Sequence, residues 1–247
     1  MYTRVRNARK AARDRSVQRR CYSANIMPSR VYFTPGFFKF LRDLKKHNDR
    51  DWFLANQERY EKDVRQPFLA LIADLAPSLA KLGSGFIADP HPTRGSMMRI
   101  YRDIRFSKDK SPYKTHVAAH FRHGQGKDAG IGLYIHLGPV DNFAGGGVYR
   151  PEPPLLKKIR DSIAGNPAAW KRAVKGQSLG GESLTRPPAG YDANHPLIED
   201  IKRKDFYLGS EMSEKEVTSN KLFAAVLEKF RDAAPLAEFL STAVGKS

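Results

Sequence analysis

A change of hydrophobic period near residue 96 constrains the fold of this chain more than any other feature. Before it, apolar residues recur at helical spacing. Phe37, Phe38, Leu41 and Leu44 mark a helix over 36–48, entered through Pro35 and Gly36. Trp52, Phe53, Tyr60, Val64, Phe68, Leu71, Ile72 and Leu75 mark one or two more helices over 50–82, and Pro67 should kink or divide that run. From Ser96 the period is two. Met98, Ile100, Ile104 and Phe106 alternate with Arg99, Tyr101, Asp103 and Arg105, as in a half-buried strand over 96–106.

Three more strands are expected over 115–122, 131–137 and 143–149. Short loops join them in succession, which predicts an antiparallel meander. Helical patterns return after Pro151, over 153–164, 166–174, 196–204, 213–221 and 222–244, the last one open to a break at Pro235. A long loop rich in Gly and Pro fills 176–195. Helices on both sides of an unbroken block of strands give an α+β fold. The expectation is a single domain, a central antiparallel sheet of about four strands flanked by N- and C-terminal helices. At 247 residues the chain can bury one large core. No stretch is apolar and long enough to span a bilayer, so no membrane is expected as a partner.

Charge is unbalanced. There are 43 Lys and Arg against 26 Asp and Glu, a formal net charge of +17. Residues 1–26 hold eight of those cations against Asp14 alone, and the rest of the chain is still at +10. Residues 1–30 therefore read as a basic, disordered arm and 31–247 as the domain. The arm also fits an Arg-rich presequence, or translation upstream of a start at Met27. The one cysteine, Cys21, forbids an intrachain disulfide and suits a reducing, cytoplasmic setting.

Much of the remaining charge is concentrated in one run, residues 99–115. It sets six cations (Arg99, Arg102, Arg105, Lys108, Lys110, Lys114) and two carboxylates (Asp103, Asp109) around Tyr101, Phe106 and Tyr113. Fixed cations at this density suit an anion, because Arg forks onto two oxygens and Lys supplies a point charge. The pattern Arg99-x-x-Arg102-Asp103-x-Arg105-Phe106, then Asp109-Lys110-x-x-Tyr113, resembles the signature of a widespread family of uncharacterised bacterial and fungal proteins, a domain of unknown function. The similarity runs from about Phe33 to Ala243. It includes Arg50-Asp51-Trp52-Phe53, Gly145-Gly146-Gly147 and the stretch from Pro235 to Leu240. The resemblance implies no activity, cofactor or catalytic residue.

The residues themselves give the site expectations. On a regular strand, Arg102 shares the apolar face, so it should be buried and paired, with Asp51 or Glu58 as partner. Arg105, Lys108, Lys110 and Lys114 should converge with Tyr113 on a ligand, and Asp103 and Asp109 should orient Arg105 and Lys110. Gly145, Gly146 and Gly147 interrupt a strand, which marks either space for a ligand or close packing of a helix. His116 and His120 share one strand face near His123 and His136, but the strands add no Glu or Cys, so no metal and no cofactor are expected. No serine elbow, zinc-protease helix or phosphate loop is present.

Three functions remain: binding, with or without turnover, of a phosphorylated or carboxylated small molecule; nucleic-acid binding on the same basic surface; and an interaction scaffold without chemistry. A small ligand requires a concave pocket where the cations converge. A nucleic acid requires a spread basic surface.

Overall fold

A computed structural model describes residues 29–83, 85–124 and 130–245. Expectations for residues 1–28, and for most of the turn at 124–127, lie outside these. The first described residues are already attached: Arg30 pairs with Asp74 at 3.2 Å, and Asn220 donates to Ser29 at 3.3 Å.

The N-terminal layer is helical. Helix α1 (Pro35–Lys46) starts on Pro35, whose fixed φ and missing N–H suit a first turn. Helix α2 (Arg50–Ala55) is capped by Asp49, which accepts from the Trp52 N–H at 2.9 Å. Then come α3 (Gln57–Tyr60), one π turn (Glu61–Arg65) and α4 (Gln66–Leu82). The expected irregularity thus lies just before Pro67, and Pro67 occupies the first turn of α4. Phe33, Phe37, Phe38, Phe40, Leu41, Leu44 and Phe68 are fully or almost fully buried and lock these helices together.

The sheet contains β1 (Val117–Arg122), β2 (Gly132–Leu137), β3 (Asn142–Val148) and β4 (Phe206–Glu211), in that order and antiparallel throughout. Two of its features correct the expectation. The fourth strand follows the long loop instead of preceding the meander. Residues 96–106 form no continuous strand; they make only isolated bridges, Met97 to Ala119 and Tyr101 to Tyr113.

Between β3 and β4 lie α5 (Pro153–Gly165), α6 (Pro167–Ala173) and α7 (Ile198–Ile201). After β4 come α8 (Glu214–Val217), closed by a capping box between Ser213 and Glu216, and α9 (Leu222–Gly245). Helix α9 runs unbroken through Pro235 and lies across one sheet face, where Phe230 meets Phe121 edge-on at 5.3 Å. Trp170 of α6 is buried between Phe206 and Phe239, tying the C-terminal helices to β4.

Neither sheet edge is bare. Along β1, the His120 N–H donates to Ser96 at 2.9 Å and the Met98 N–H to Ala118 at 2.8 Å. Along β4, the Gly180 N–H donates to Tyr207 at 2.9 Å. Among the described residues, no helix is long and apolar enough to cross a membrane.

Candidate functional site

The charged run folds as an irregular hairpin that leaves the outer edge of β1. Residues 96–102 run antiparallel to 112–120. Beyond the two bonds to β1, the Arg102 N–H donates to Pro112 and the Lys114 N–H to Ile100, each at 2.8 Å. Local chemistry explains why the ladder stops there. Asp103 Oδ1 accepts from the Arg105 N–H at 3.2 Å, and Asp109 Oδ1 accepts from the Ser111 N–H at 2.9 Å. These side chains take donors that a ladder would use, and Pro112 has none to offer. The tip, residues 103–111, is therefore a loop built from two aspartate turns.

Its base is fixed to the helical layer. Tyr113 is 3% exposed and stacks on Phe53 at 4.1 Å. Asn48 donates to the Tyr113 carbonyl and accepts from its N–H, both at 3.0 Å. Tyr113, expected to meet a ligand, is thus a core residue.

Four of the six cations, Arg102, Arg105, Lys110 and Lys114, are held by groups of the hairpin itself. Arg102 donates to Asp109 and, at 3.2 Å, to the Ser111 carbonyl; its side chain remains 28% exposed. The expected buried pair with Asp51 or Glu58 is absent because the parity rule needed a continuous strand. So exposed a pair is screened by water and adds little to stability. Asp109 holds Arg102 where orientation of Lys110 was expected. Hydrogen bonds from Ser111, and then Arg102, hold the Asp109 carboxyl down to about 2. Asp103 grips Arg105 with bonds of 3.0 and 2.7 Å, and this pairing lowers its pKa. Lys110 donates to the Ile104 carbonyl and Lys114 to that of Arg99, each at 3.0 Å. Among the described residues, Arg99, Lys108, Lys110 and Lys114 form no carboxylate ion pair. Phe106 stands at the tip, 95% exposed, with the Arg105 guanidinium 5.8 Å from its ring centre. Tyr101 is 55% exposed on the stem.

Gly145, Gly146 and Gly147 lie elsewhere. They belong to β3, separated from the hairpin by β1 and β2. A Cβ on Gly145 would overlap the Leu208 carbonyl, and one on Gly147 that of Phe206. A Cβ on Gly146 would press on Leu133 and, at 3.2 Å, on Ala233 of α9. The run admits close approach of β4 and α9, and Gly147 also has φ of +129°.

The sheet face opposite α9 collects side chains that the sequence had spread over three segments. Register places Ala118, His136, Phe143 and the exposed Glu211 in one row and His120, Tyr134, Gly145 and Gly209 in another. His116 lies 4.1 Å from His136, and His136 stacks on Phe143 at 4.9 Å and 8°. His136 Nε2 is 3.0 Å from Asp141 Oδ1. The sequence had put His116 and His120 on one face with His123 and His136 near; Tyr134 and Phe143 joined them only through the register, and His123 is buried apart from them, edge-on to Phe86 at 5.1 Å. Among the described residues, no group of three or more His, Cys, Asp or Glu could hold a metal.

Burial, with His136 and Lys114 beside it, drives the His116 imidazole from its ordinary 6.5 down to about 4, against the opposing pull of Asp141. Burial also lowers His120 and His136. The unfolded chain therefore takes up protons that these rings refuse. Their stabilising effect is complete above pH 6.5 and is lost as pH falls through that value towards 4. Melting curves between pH 7.5 and 4 should show this loss, and His116→Gln should flatten the dependence. An unchanged slope would mean that His116 is protonated in the fold.

Two cavities flank α9. One, of about 630 Å³, is bounded by α5, α6 and α9; the other, of about 220 Å³, lies between β3, β4 and α9. Residues 99–115 line neither.

Comparison with known proteins finds one family. The model of a family described as "Conserved hypothetical protein (DUF2461)" matches residues 36–239. No curated protein and no solved structure matches the chain.

Proposed function

The chain belongs to the conserved hypothetical protein family DUF2461, whose description states no activity, and from its geometry we propose a nucleic-acid-binding protein that contacts phosphates through the hairpin of residues 96–120. One observation carries this reading: Arg105, Lys108 and Lys110 follow one another along an exposed loop that also carries the exposed ring of Phe106. A small anion needs donors that converge in a concave site. Here Arg105, Lys110 and Lys114 are each held by a different group of the hairpin, and residues 99–115 line neither of the cavities beside α9. A polynucleotide offers a row of phosphates that spread cations can follow. Phe106 and Tyr101 add exposed rings on which a base can stack. The charge of +10 beyond residue 26 supplies the long-range attraction. A chain with one cysteine can do this in the reducing cytoplasm.

Fluorescence anisotropy with labelled 20-nucleotide probes, titrated over a range of salt, tests the proposal. Affinity should fall linearly on a log–log plot. Lys108→Ala with Lys110→Ala should reduce the slope by about 2, roughly one for each phosphate no longer neutralised. Unchanged binding in the double variant would remove the hairpin from the interface. Saturable thermal stabilisation by inorganic phosphate or a sugar phosphate, without oligonucleotide binding, would establish the small-anion reading in its place.

A further inference from the structure

We infer that the sheet face opposite α9 is a stacking platform for the bases of a single-stranded nucleic acid. This rests on the reading of the hairpin as a phosphate-binding element, and it names the form of ligand that such a protein would take.

The solvated face of an antiparallel sheet usually carries polar residues. The middle of this face instead presents His116, Tyr134, His136 and Phe143, partly buried and packed against one another, with His120 beside Tyr134 in the register. The imidazoles are held neutral by burial, so they act as flat aromatic surfaces and not as cations. Such rings accept any base, because every base has a π face.

The face also has room for a base. In the row His120, Tyr134, Gly145, Gly209, the last two positions carry no side chain. A Cβ on Gly209 would meet only the edge of Phe143, at 3.9 Å, so the surface beside Tyr134 and Phe143 is open there. Gly145 itself is buried against the β4 backbone, so the opening lies at Gly209, about one strand's width beside the ring of Phe143.

Finally, the platform is continuous with the hairpin. The hairpin leaves this sheet at β1, and Lys114 is close enough to His116 to lower its pKa. A chain whose phosphates follow the hairpin cations can therefore continue with its bases across β1, β2 and β3. Paired bases cannot reach such a platform, so the face would discriminate against duplex. The occupant is thus committed by charge complementarity at the hairpin and by ring chemistry on the sheet.

The test uses the full chain and two labelled probes, a 20-nucleotide oligothymidylate and a 20-base-pair duplex. Tyr134→Ala should weaken oligothymidylate binding roughly 5- to 150-fold, the range for loss of one stacked base, and leave duplex binding and salt slope unchanged. Tyr134→Phe keeps the ring and should bind like the parent. Should Tyr134→Ala fold poorly, Gly209→Leu serves instead. Its side chain enters open space, so the melting temperature should hold while the preference for single strand is lost. If Tyr134→Ala and Gly209→Leu both bind oligothymidylate like the parent, while Lys108→Ala with Lys110→Ala weakens both probes, the platform is wrong and the hairpin reading stands. If the parent protein binds neither probe, both readings fall.

Discussion

Gly145→Val is expected to leave too little stability for a folded protein, with a loss of more than about 4 kcal/mol. The added Cβ would overlap the Leu208 carbonyl of the adjacent strand and crowd the Gly209 Cα, at 2.8 Å from where it would stand. Both are backbone, held by the β3–β4 ladder, so no side-chain rotation relieves the clash. Urea denaturation and soluble yield would measure the effect. Gly209→Ala, two strands' width from Tyr134 in the same row, provides the control. Its Cβ enters open space, and the cost should stay within about 0.5 kcal/mol. If Gly145→Val were as stable as the parent, close approach of β4 would not be the reason for glycine at this position.

Tyr113→Ala should produce the second largest effect, about 3 to 5 kcal/mol by analogy with other buried aromatic truncations. The ring is stacked on Phe53 inside the core, and it is the point where the hairpin joins the helical layer. Its loss should also raise amide hydrogen exchange over residues 99–114, which depend on that anchor for their position. Phe106→Ala, at the tip of the same hairpin, should change stability by less than about 0.5 kcal/mol, because its ring is already in water. A loss below about 1 kcal/mol for Tyr113→Ala would mean that the hairpin is anchored elsewhere.

These two residues show where sequence was a good guide and where it was not. Periodicity located α1, α5, α6 and α9 and the first three sheet strands, because each is long enough for its apolar spacing to be read locally. It did not find β4. Phe206, Tyr207 and Leu208 are followed at once by Gly209 and Ser210, and the partner strand lies more than fifty residues earlier. Pairing at that distance leaves little local trace. Residues 96–106 had the right alternation and the right neighbour, but Asp103 and Asp109 diverted the backbone donors into turns. Once the strand lost its regularity, the parity that assigned Arg102 to the core lost its basis. Tyr113 carries no mark in the sequence that separates a stacked core ring from a ligand contact. Gly145, Gly146 and Gly147 signalled close approach correctly, but whether a ligand or a neighbouring element approaches is fixed only by the tertiary arrangement.

The covered edges of the sheet bear on how this protein behaves at high concentration. A four-stranded open sheet ends in two rows of backbone donors and acceptors, and such rows template the addition of further chains. Here the outer side of β1 is taken up by the hairpin stem, whose bonds to the strand are few and out of step. The outer side of β4 meets the loop at Gly180 in the same sparse fashion. An incoming strand would have to displace one of these segments before it could pair. The irregularity that hid the hairpin from sequence reading therefore also guards the sheet against edge-to-edge aggregation and fibre growth.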